Sequence, residues 1–219
     1  MSEFRHTVSA VSGHYGYPGM VPSGGLKTSF KYPSPATVRG YLESAMGMER
    51  GSFEGDIALG ILRAPSGHQT TLRKNHIFKS ATGEKPVGPD GKKIGALYEP
   101  RIFSWEVWLD VTYQVAVRGP MADRVRKALQ GEGTRYGVLS LGTSDDVVHD
   151  TTEEAVPARW VVPGTQFPLI IESKTSFSQV SPTMGRFALS AESLDIPEEA
   201  WLSMRVVTPK KARKKPIAA

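Results

Sequence analysis

Residues 103–117, FSWEVWLDVTYQVAV, decide how the rest of the chain is read. Phe103, Trp105, Val107, Leu109, Val111, Tyr113, Val115 and Val117 occupy every second position, with Ser104, Glu106, Asp110, Thr112 and Gln114 between them. A period of two sends the two sets to opposite faces, which predicts a long strand with one buried face, bent or bulged along its length. Just upstream, GEKPVGPDGKKIG at 83–95 carries four glycines and two prolines and cannot be a helix. Bounded by Phe78 and Leu97, it reads as the tip of a projecting hairpin or a flexible loop, with residues 70–78 as the strand before it.

Working outward, residues 4–11 mix apolar and polar positions as a strand does, and 57–62 read as a short buried strand. Between 13 and 33 lies a loop rich in glycine yet studded with Tyr15, Tyr17, Phe30 and Tyr32. It ends at a helix start, because Ser34 suits an N-cap and Pro35 the first helical position. Val38, Tyr41, Leu42, Ala45 and Met46 then form one apolar stripe, and Gly47 supplies the stop. Arg39 and Glu43 fall on the polar side, available to solvent, to each other or to a ligand. Pro120 opens a second helix with Met121, Val125 and Leu129 inward and Arg124, Arg126 and Lys127 outward, ending at Gly131. With a short strand at 138–141, the order approximates βαββαβ: an α+β, ferredoxin-like (RRM-like) domain over 1–150, with a hairpin at about 76–101. Residues 151–208 read as proline-punctuated β segments at 158–162, 167–171, 177–188 and 201–207, a small β-rich extension rather than an independent domain. Residues 209–219 read as a disordered basic tail, and no internal repeat is visible.

The chain has 219 residues, 22 Gly, 16 Pro and no Cys, enough to bury a core and with no means of making disulfides, thiolate metal sites or a cysteine nucleophile. Absent cysteine fits a reducing compartment, so the cytoplasm is the expected location. No apolar run is long enough for a membrane span, and MSEFRHTVS lacks the layout of a signal peptide. The net charge of +5 resides in the tail, where Lys210, Lys211, Arg213, Lys214 and Lys215 leave 22 basic against 22 acidic residues elsewhere. Within that neutral body, residues 70–101 hold seven basic side chains against three acidic ones, and 141–200 hold ten acids against Arg159, Lys174 and Arg186. One end of the chain can therefore face a polyanion.

Catalytic readings are weaker. His6, His14, His68, His76 and His149 are scattered with no pair at helical spacing, which argues against a metal site, and nothing points to a cofactor. No G-x-S-x-G elbow occurs, and GPDGKK at 88–93 only mimics a phosphate loop. Asp145 and Asp146 read as an exposed acidic turn rather than an acid pair. A metal-independent ribonuclease needs only an acid–base group and a cation, for which Lys74 and His76 are the candidates.

Basic residues interleaved with aromatics suit single-stranded nucleic acid, and two stretches qualify: the entry loop with Tyr15, Tyr17, Lys27, Phe30, Lys31 and Tyr32, and the 70–101 hairpin. At 29–47, SFKYPSPATVRGYLESAMG resembles the signature that opens the Cas-five family of CRISPR-associated proteins (RAMP superfamily). TTLRKNHIF at 70–78 is similar to the strand entering that family's thumb hairpin, and YGVLSLGTSDDVV at 136–148 to its leucine-glycine-serine-acid segment. The resemblance covers about two thirds of the chain, to about Asp150. It implies a non-catalytic subunit of a type I effector (Cascade) complex in antiviral defence. Such a subunit holds the 5′ handle of the guide RNA (crRNA), caps the Cas-seven backbone filament, contacts the large subunit and meets target DNA indirectly. It implies further that Ser29, Phe30, Lys31, Tyr32 and Arg39 line the handle pocket, with Lys27 beside it. Arg73, Lys74, Lys79, Lys85, Lys92, Lys93 and Arg101 would meet phosphates along the thumb, with Val87, Ile94, Leu97 or Tyr98 as the apolar wedge. One branch of the family cleaves the repeat transcript with a Tyr and an adjacent Lys-His pair. Here Asn75 separates Lys74 from His76, which favours a structural subunit, with endoribonuclease activity as the alternative.

Overall fold

The computed structural model describes residues 2–16, 26–78, 98–133, 135, 137–142, 146–176 and 179–206, with backbone alone at 73–78, 98–103, 172–176 and 179–182. In chain order the elements are β1 (Glu3–Gly13), β2 (Leu26–Lys27), α1 (Pro35–Ala45), β3 (Gly55–Arg63), β4 (Gly67–Phe78), β5 (Tyr98–Arg118) and α2 (Ala122–Leu129). They continue with β6 (Val148–Thr152), β7 (Ala158–Ser176), β8 (Gln179–Ser193), a 3₁₀ turn at Glu198–Ala200 and β9 (Leu202–Met204). The result is a mixed, mostly antiparallel sheet with two helices, an α+β fold, running β6-β1-β5-β3-β7-β8.

The alternating stretch becomes the 21-residue β5, and its two edges carry most of the sheet. One edge takes β1, from Glu3↔Arg118 to Gly13↔Trp108, and then the short parallel β2 at Ser104 and Trp105. The other takes β3, from Asp56↔Arg118 to Arg63↔Thr112, and then β4, from Gly67↔Leu109 to Phe78↔Tyr98. The handover from β3 to β4 coincides with Asp110, whose φ of 51° is the bend foreseen in the strand. An Asp tolerates this left-handed backbone, and Ser66 fixes it from both sides: its Oγ donates to Asp110 Oδ2 at 2.6 Å and its N–H to the Leu109 carbonyl at 3.1 Å.

The helix start is as the sequence predicts. Ser34 is extended (φ −79°, ψ 158°) and its hydroxyl accepts from the Thr37 N–H, so one orphan donor of α1 is satisfied. Gly47 leaves the helix at φ 61°, a conformation that costs glycine little. Val38, Tyr41, Leu42 and Ala45 of α1 are buried with Ala122, Val125 and Ala128 of α2, among Phe4, Val8, Ile57, Leu59, Tyr113, Val115 and Val117 of the sheet. The inward face of α2 is thus Ala122–Val125–Ala128, one step round from the expected stripe, with Met121 and Leu129 only partly buried beside it.

Three expectations are corrected. The strand expected at 138–141 is an isolated bridge, Ser140↔Val147, and the strand that pairs β1 is β6 at Val148–Thr152. The segments at 158–162 and 167–171 are one strand, β7, which passes Pro163 with a register shift before Phe167 and carries Pro168 in regular register opposite Arg186, and it joins the same sheet through Gly60↔Trp160. Lastly, β5 is buried on both faces over its second half. Opposite the helices, Ala58 and Ala116 pair across β3 and β5 beneath Trp160, Ala158 and Ala200, and Gln114, 0% exposed, donates to the Glu154 carbonyl at 2.8 Å. Arg118 ties this cover down with two bonds to Glu198 (2.8 and 2.9 Å), one to Asp56, and a stack on Trp201. Those bonds, led by the Glu198 contact, hold its guanidinium above its ordinary value and draw the Glu198 carboxyl below its own.

Candidate nucleic-acid interface

Beyond Asp110, β5 leaves the two-helix core and becomes the shared wall of β2 and β4. Register sets the side chains of this wall in cross-strand rows: His68 opposite Trp108, Thr70 opposite Glu106, and Leu72 and Leu26 both opposite Ser104. Across it lies the turn at 29–32. The Ser29 N–H donates to Glu106 Oε2 at 2.9 Å, the Ser29 hydroxyl accepts from the Tyr15 N–H at 2.8 Å, and Lys31 Nζ lies 5.9 Å from the Trp108 ring. His68 leans on the same indole, ring centres 5.1 Å apart, with its Nε2 3.7 Å from Glu106 Oε1.

A second cation–aromatic pair stands three residues along β5, on the opposite face of the strand. Lys27 Nζ lies 4.1 Å from the Trp105 ring, and partial burial lowers its pKa below the ordinary lysine value. His14 packs edge-on against the same indole at 4.5 Å, and its Nδ1 donates to the Glu106 carbonyl at 2.7 Å. Asp146 fixes His14 from behind, accepting its backbone N–H at 2.9 Å and the Ser12 hydroxyl at 3.2 Å. It is 1% exposed, so the second acid of the Asp145–Asp146 turn is a buried anchor instead of a solvated one. Tyr15 and Tyr113 share a hydroxyl–hydroxyl bond of 3.2 Å beneath this layer, and burial raises both phenol pKa values.

The predicted residues divide accordingly. Lys27, Ser29 and Lys31 meet the wall at Trp105, Glu106 and Trp108, with Lys31 exposed and the other two half-buried, whereas the half-buried Phe30 packs against the hydrophobic core. Tyr32 is 7% exposed and packs at a tilt against Phe167 of β7, ring centres 5.2 Å apart, which makes it a core ring that anchors the turn. Arg39 is 8% exposed: its Nε bonds Glu43 at 2.8 Å and its Nη2 the Phe53 carbonyl at 3.1 Å. Glu43, 2% exposed, also accepts the Gly51 and Phe53 N–H groups, so the pair is an internal brace for the loop after α1 and no part of the wall. Arg73, Lys74 and His76 stand on the β4 backbone opposite Phe103, Ile102 and Pro100, while Tyr98 and Arg101 stand on β5. Lys79, Lys85, Val87, Lys92, Lys93, Ile94 and Leu97 lie outside the described residues. Among the described residues no three His, Asp or Glu side chains are grouped as metal ligands.

Sequence reasoning missed Trp105, Trp108, Glu106 and His68. The signal for one of them was present. In a strand of period two, Trp108 is the aromatic that stands among Ser104, Glu106, Asp110 and Thr112, on the polar register.

No family model matches the chain, and no curated protein matches it. Solved structures do. One described as "CRISPR RNA-guided surveillance complex" is 18% identical over 87% of this chain and 90% of that one, with a TM-score of 0.57. "Crystal structure of Cas protein" is 11% identical over 89% and 100% of the two chains (TM-score 0.48), and "Crystal Structure of CRISPR-associated Protein" 12% identical over 70% and 66% (TM-score 0.41). At 18% identity the first likeness is one of fold.

Proposed function

We propose that the chain is a non-catalytic, RNA-binding subunit of a type I CRISPR effector complex. In that role it grips the 5′ handle of the guide RNA, caps the Cas-seven filament and touches the large subunit. The observation that carries the reading is the pair of cation–aromatic contacts, Lys27 on Trp105 and Lys31 by Trp108, at the root of the β4–β5 hairpin. Cations beside aromatic surfaces serve an RNA whose phosphates need neutralising and whose bases need apolar faces.

The core supports the same reading. The order β6-β1-β5-β3, antiparallel throughout, with α1 between β1 and β3 and α2 between β5 and β6 in the chain, supports reading this α+β core as a ferredoxin-like split βαβ unit. An RNA-recognition domain of this type stacks bases on its helix-free face. Here Trp160, Ala158 and Ala200 cover the Ala58–Ala116 part of that face, so the RNA surface is displaced along β5 to the β2–β5–β4 wall and the thumb beyond it. Handle contacts then fall to Lys27, Ser29, Phe30 and Lys31, and phosphate contacts to the thumb lysines.

The test incubates purified protein with labelled repeat RNA in EDTA. Retention without cleavage, falling steeply with salt, is expected, since each phosphate neutralised on a single strand contributes a slope of about −0.7 in log–log form. A discrete product lost in His76→Ala would establish the endoribonuclease alternative. Salt-independent or absent retention would refute RNA binding, and unchanged retention after Lys92→Glu with Lys93→Glu would refute the thumb contacts.

A further inference from the structure

The geometry points to Glu106 as a base-reading residue: the wall at the root of the hairpin takes a guanine, its Watson–Crick edge held by the Glu106 carboxylate. This rests on the RNA-binding reading and adds which base the site prefers and which side chain sets the preference.

Glu106 is an anion in the middle of a surface otherwise fitted to a polyanion. Its side chain is 24% exposed, with His68 Nε2 3.7 Å away and Lys31 near Trp108 on the same face of the strand. A carboxylate in that place repels phosphate, so the backbone of a bound strand runs past Lys31, the exposed cation at the edge, while the inner position is left for a base. An ionised carboxylate accepts and never donates, and its two oxygens offer about four lone-pair sites. Oε2 uses one on the Ser29 N–H at 2.9 Å, which fixes the side chain, and Oε1 is 3.7 Å from His68 Nε2, beyond hydrogen-bond reach. Capacity therefore remains on both oxygens for incoming N–H groups.

The four bases differ at this acceptor. Guanine presents N1–H and an N2 amino hydrogen side by side, a match for the two oxygens of a carboxylate. Cytosine and adenine each offer one amino group next to a ring-nitrogen acceptor, and uracil one N–H flanked by two carbonyls that face the carboxylate unfavourably. Stacking surface is at hand. His68 is 56% exposed at its side chain and rests on the half-buried Trp108, which packs against the core and fixes it, and Leu72, 75% exposed, stands two rows away on the same face. A base placed against the imidazole gains the sequence-tolerant part of its affinity there, and the carboxylate adds the discrimination.

The experiment measures fluorescence-anisotropy binding of eight-residue uridine oligonucleotides carrying one guanosine, adenosine or cytidine at each position in turn. The wild-type protein is expected to bind the guanosine series on the order of tenfold tighter at one position than the all-uridine strand, the range a good two-bond base contact gives. Glu106→Gln keeps an oxygen for the Ser29 N–H but loses the charge and one acceptor. It is expected to erase most of the guanosine preference while still binding all-uridine RNA. His68→Ala, at an exposed ring, is expected to weaken every oligonucleotide alike without changing the thermal midpoint. Binding with no guanosine preference, or a preference that survives Glu106→Gln, overturns this inference and leaves RNA binding intact. No binding of any oligonucleotide overturns the functional reading as well.

Discussion

Acidification offers a test of the core that is independent of any ligand. His6 is 1% exposed on the helix side of β1, its ring between Phe4 at 5.3 Å and Tyr41 at 5.8 Å. Tyr41 Oη lies 3.2 Å from His6 Nε2, and His6 Nδ1 has no hydrogen-bond partner among the described residues. Two cations stand against its neighbours, Arg126 over the Phe4 ring at 5.1 Å and Arg135 acting on Tyr41, and among the described residues no carboxylate is bonded to the ring. Charging the imidazole would place a buried ion with one N–H unsatisfied, so burial lowers its pKa from 6.5 to about 3. The unfolded chain takes up a proton over that window and the folded chain does not. Stability is therefore fully present above pH 6.5 and falls as the pH falls towards 3, by about 1.4 kcal/mol per unit. Between pH 7 and pH 5 the loss assigned to His6 is about 2 kcal/mol. Urea unfolding at the two pH values measures it, with His6→Phe as the control that keeps an aromatic ring between its neighbours and removes the titrating group. The wild type should lose about 2 kcal/mol more than the variant across the interval. Equal losses in the two proteins would refute the assignment of a buried neutral imidazole.

Three further outcomes are expected. Arg39→Ala leaves the 2%-exposed Glu43 without its cation and should cost about 3–5 kcal/mol in urea unfolding, against a far smaller change for Arg124→Ala on the outer side of α2. Trp160→Ala removes the indole that covers Ala58 and Ala116 and should cost about 3–5 kcal/mol, with new hydrogen exchange at β3 and β7 amides detected by mass spectrometry. Gly142→Ala sets a Cβ 2.6 Å from the His14 carbonyl at a φ of 130°, so it should disturb His14 and Trp105, read as a change in intrinsic tryptophan fluorescence together with a lower thermal midpoint.

How far the residues foretold this arrangement depended on whether local chemistry or long-range pairing decided each feature. The start of α1 was legible because a Ser-Pro cap is a local device, satisfied by Thr37 three residues on. The length of β5 was legible because eight alternating apolar residues leave no other regular conformation. β6 was not, since it is an edge strand reading VHDTT with mostly exposed side chains, and only its pairing with Thr7–Ala10 makes it a strand. Nor was the continuity of β7, whose prolines announce breaks, yet the register shift at 163–167 absorbs Pro163 and Pro168 pairs regularly with Arg186. Among the site residues, Tyr32 and Arg39 carry the chemistry of a binding turn, and nothing local says that Phe167 and Glu43, from elsewhere in the fold, will bury them. Trp108 shows the converse: its position on the polar register was a local signal of an aromatic set into a surface.

The bend at Asp110 explains how one strand serves both purposes. Below it, β5 has β1 and β3 on its edges, helices on one face and the Trp160 layer on the other, so nothing there can shift without opening the core. Above it, among the described residues, the strand has β4 along one edge and, along the other, the end of β1 at Leu109 and Trp108 and then the two residues of β2, and it trades apolar cover for Glu106, Lys27, Lys31 and His68. A surface that reads RNA must hold its groups to within a fraction of a hydrogen-bond length, which a lone hairpin does not do in water. Continuity of β5 supplies that rigidity. Trp108 and Glu106 lie two and four residues from Asp110, next to the part of the strand locked in the core, whereas the far end of the β4–β5 ladder is at Phe78 and Tyr98. In the proposed RNA-binding role, contacts that discriminate between bases would therefore belong at the root of the hairpin, and contacts that only need charge could lie further from the core.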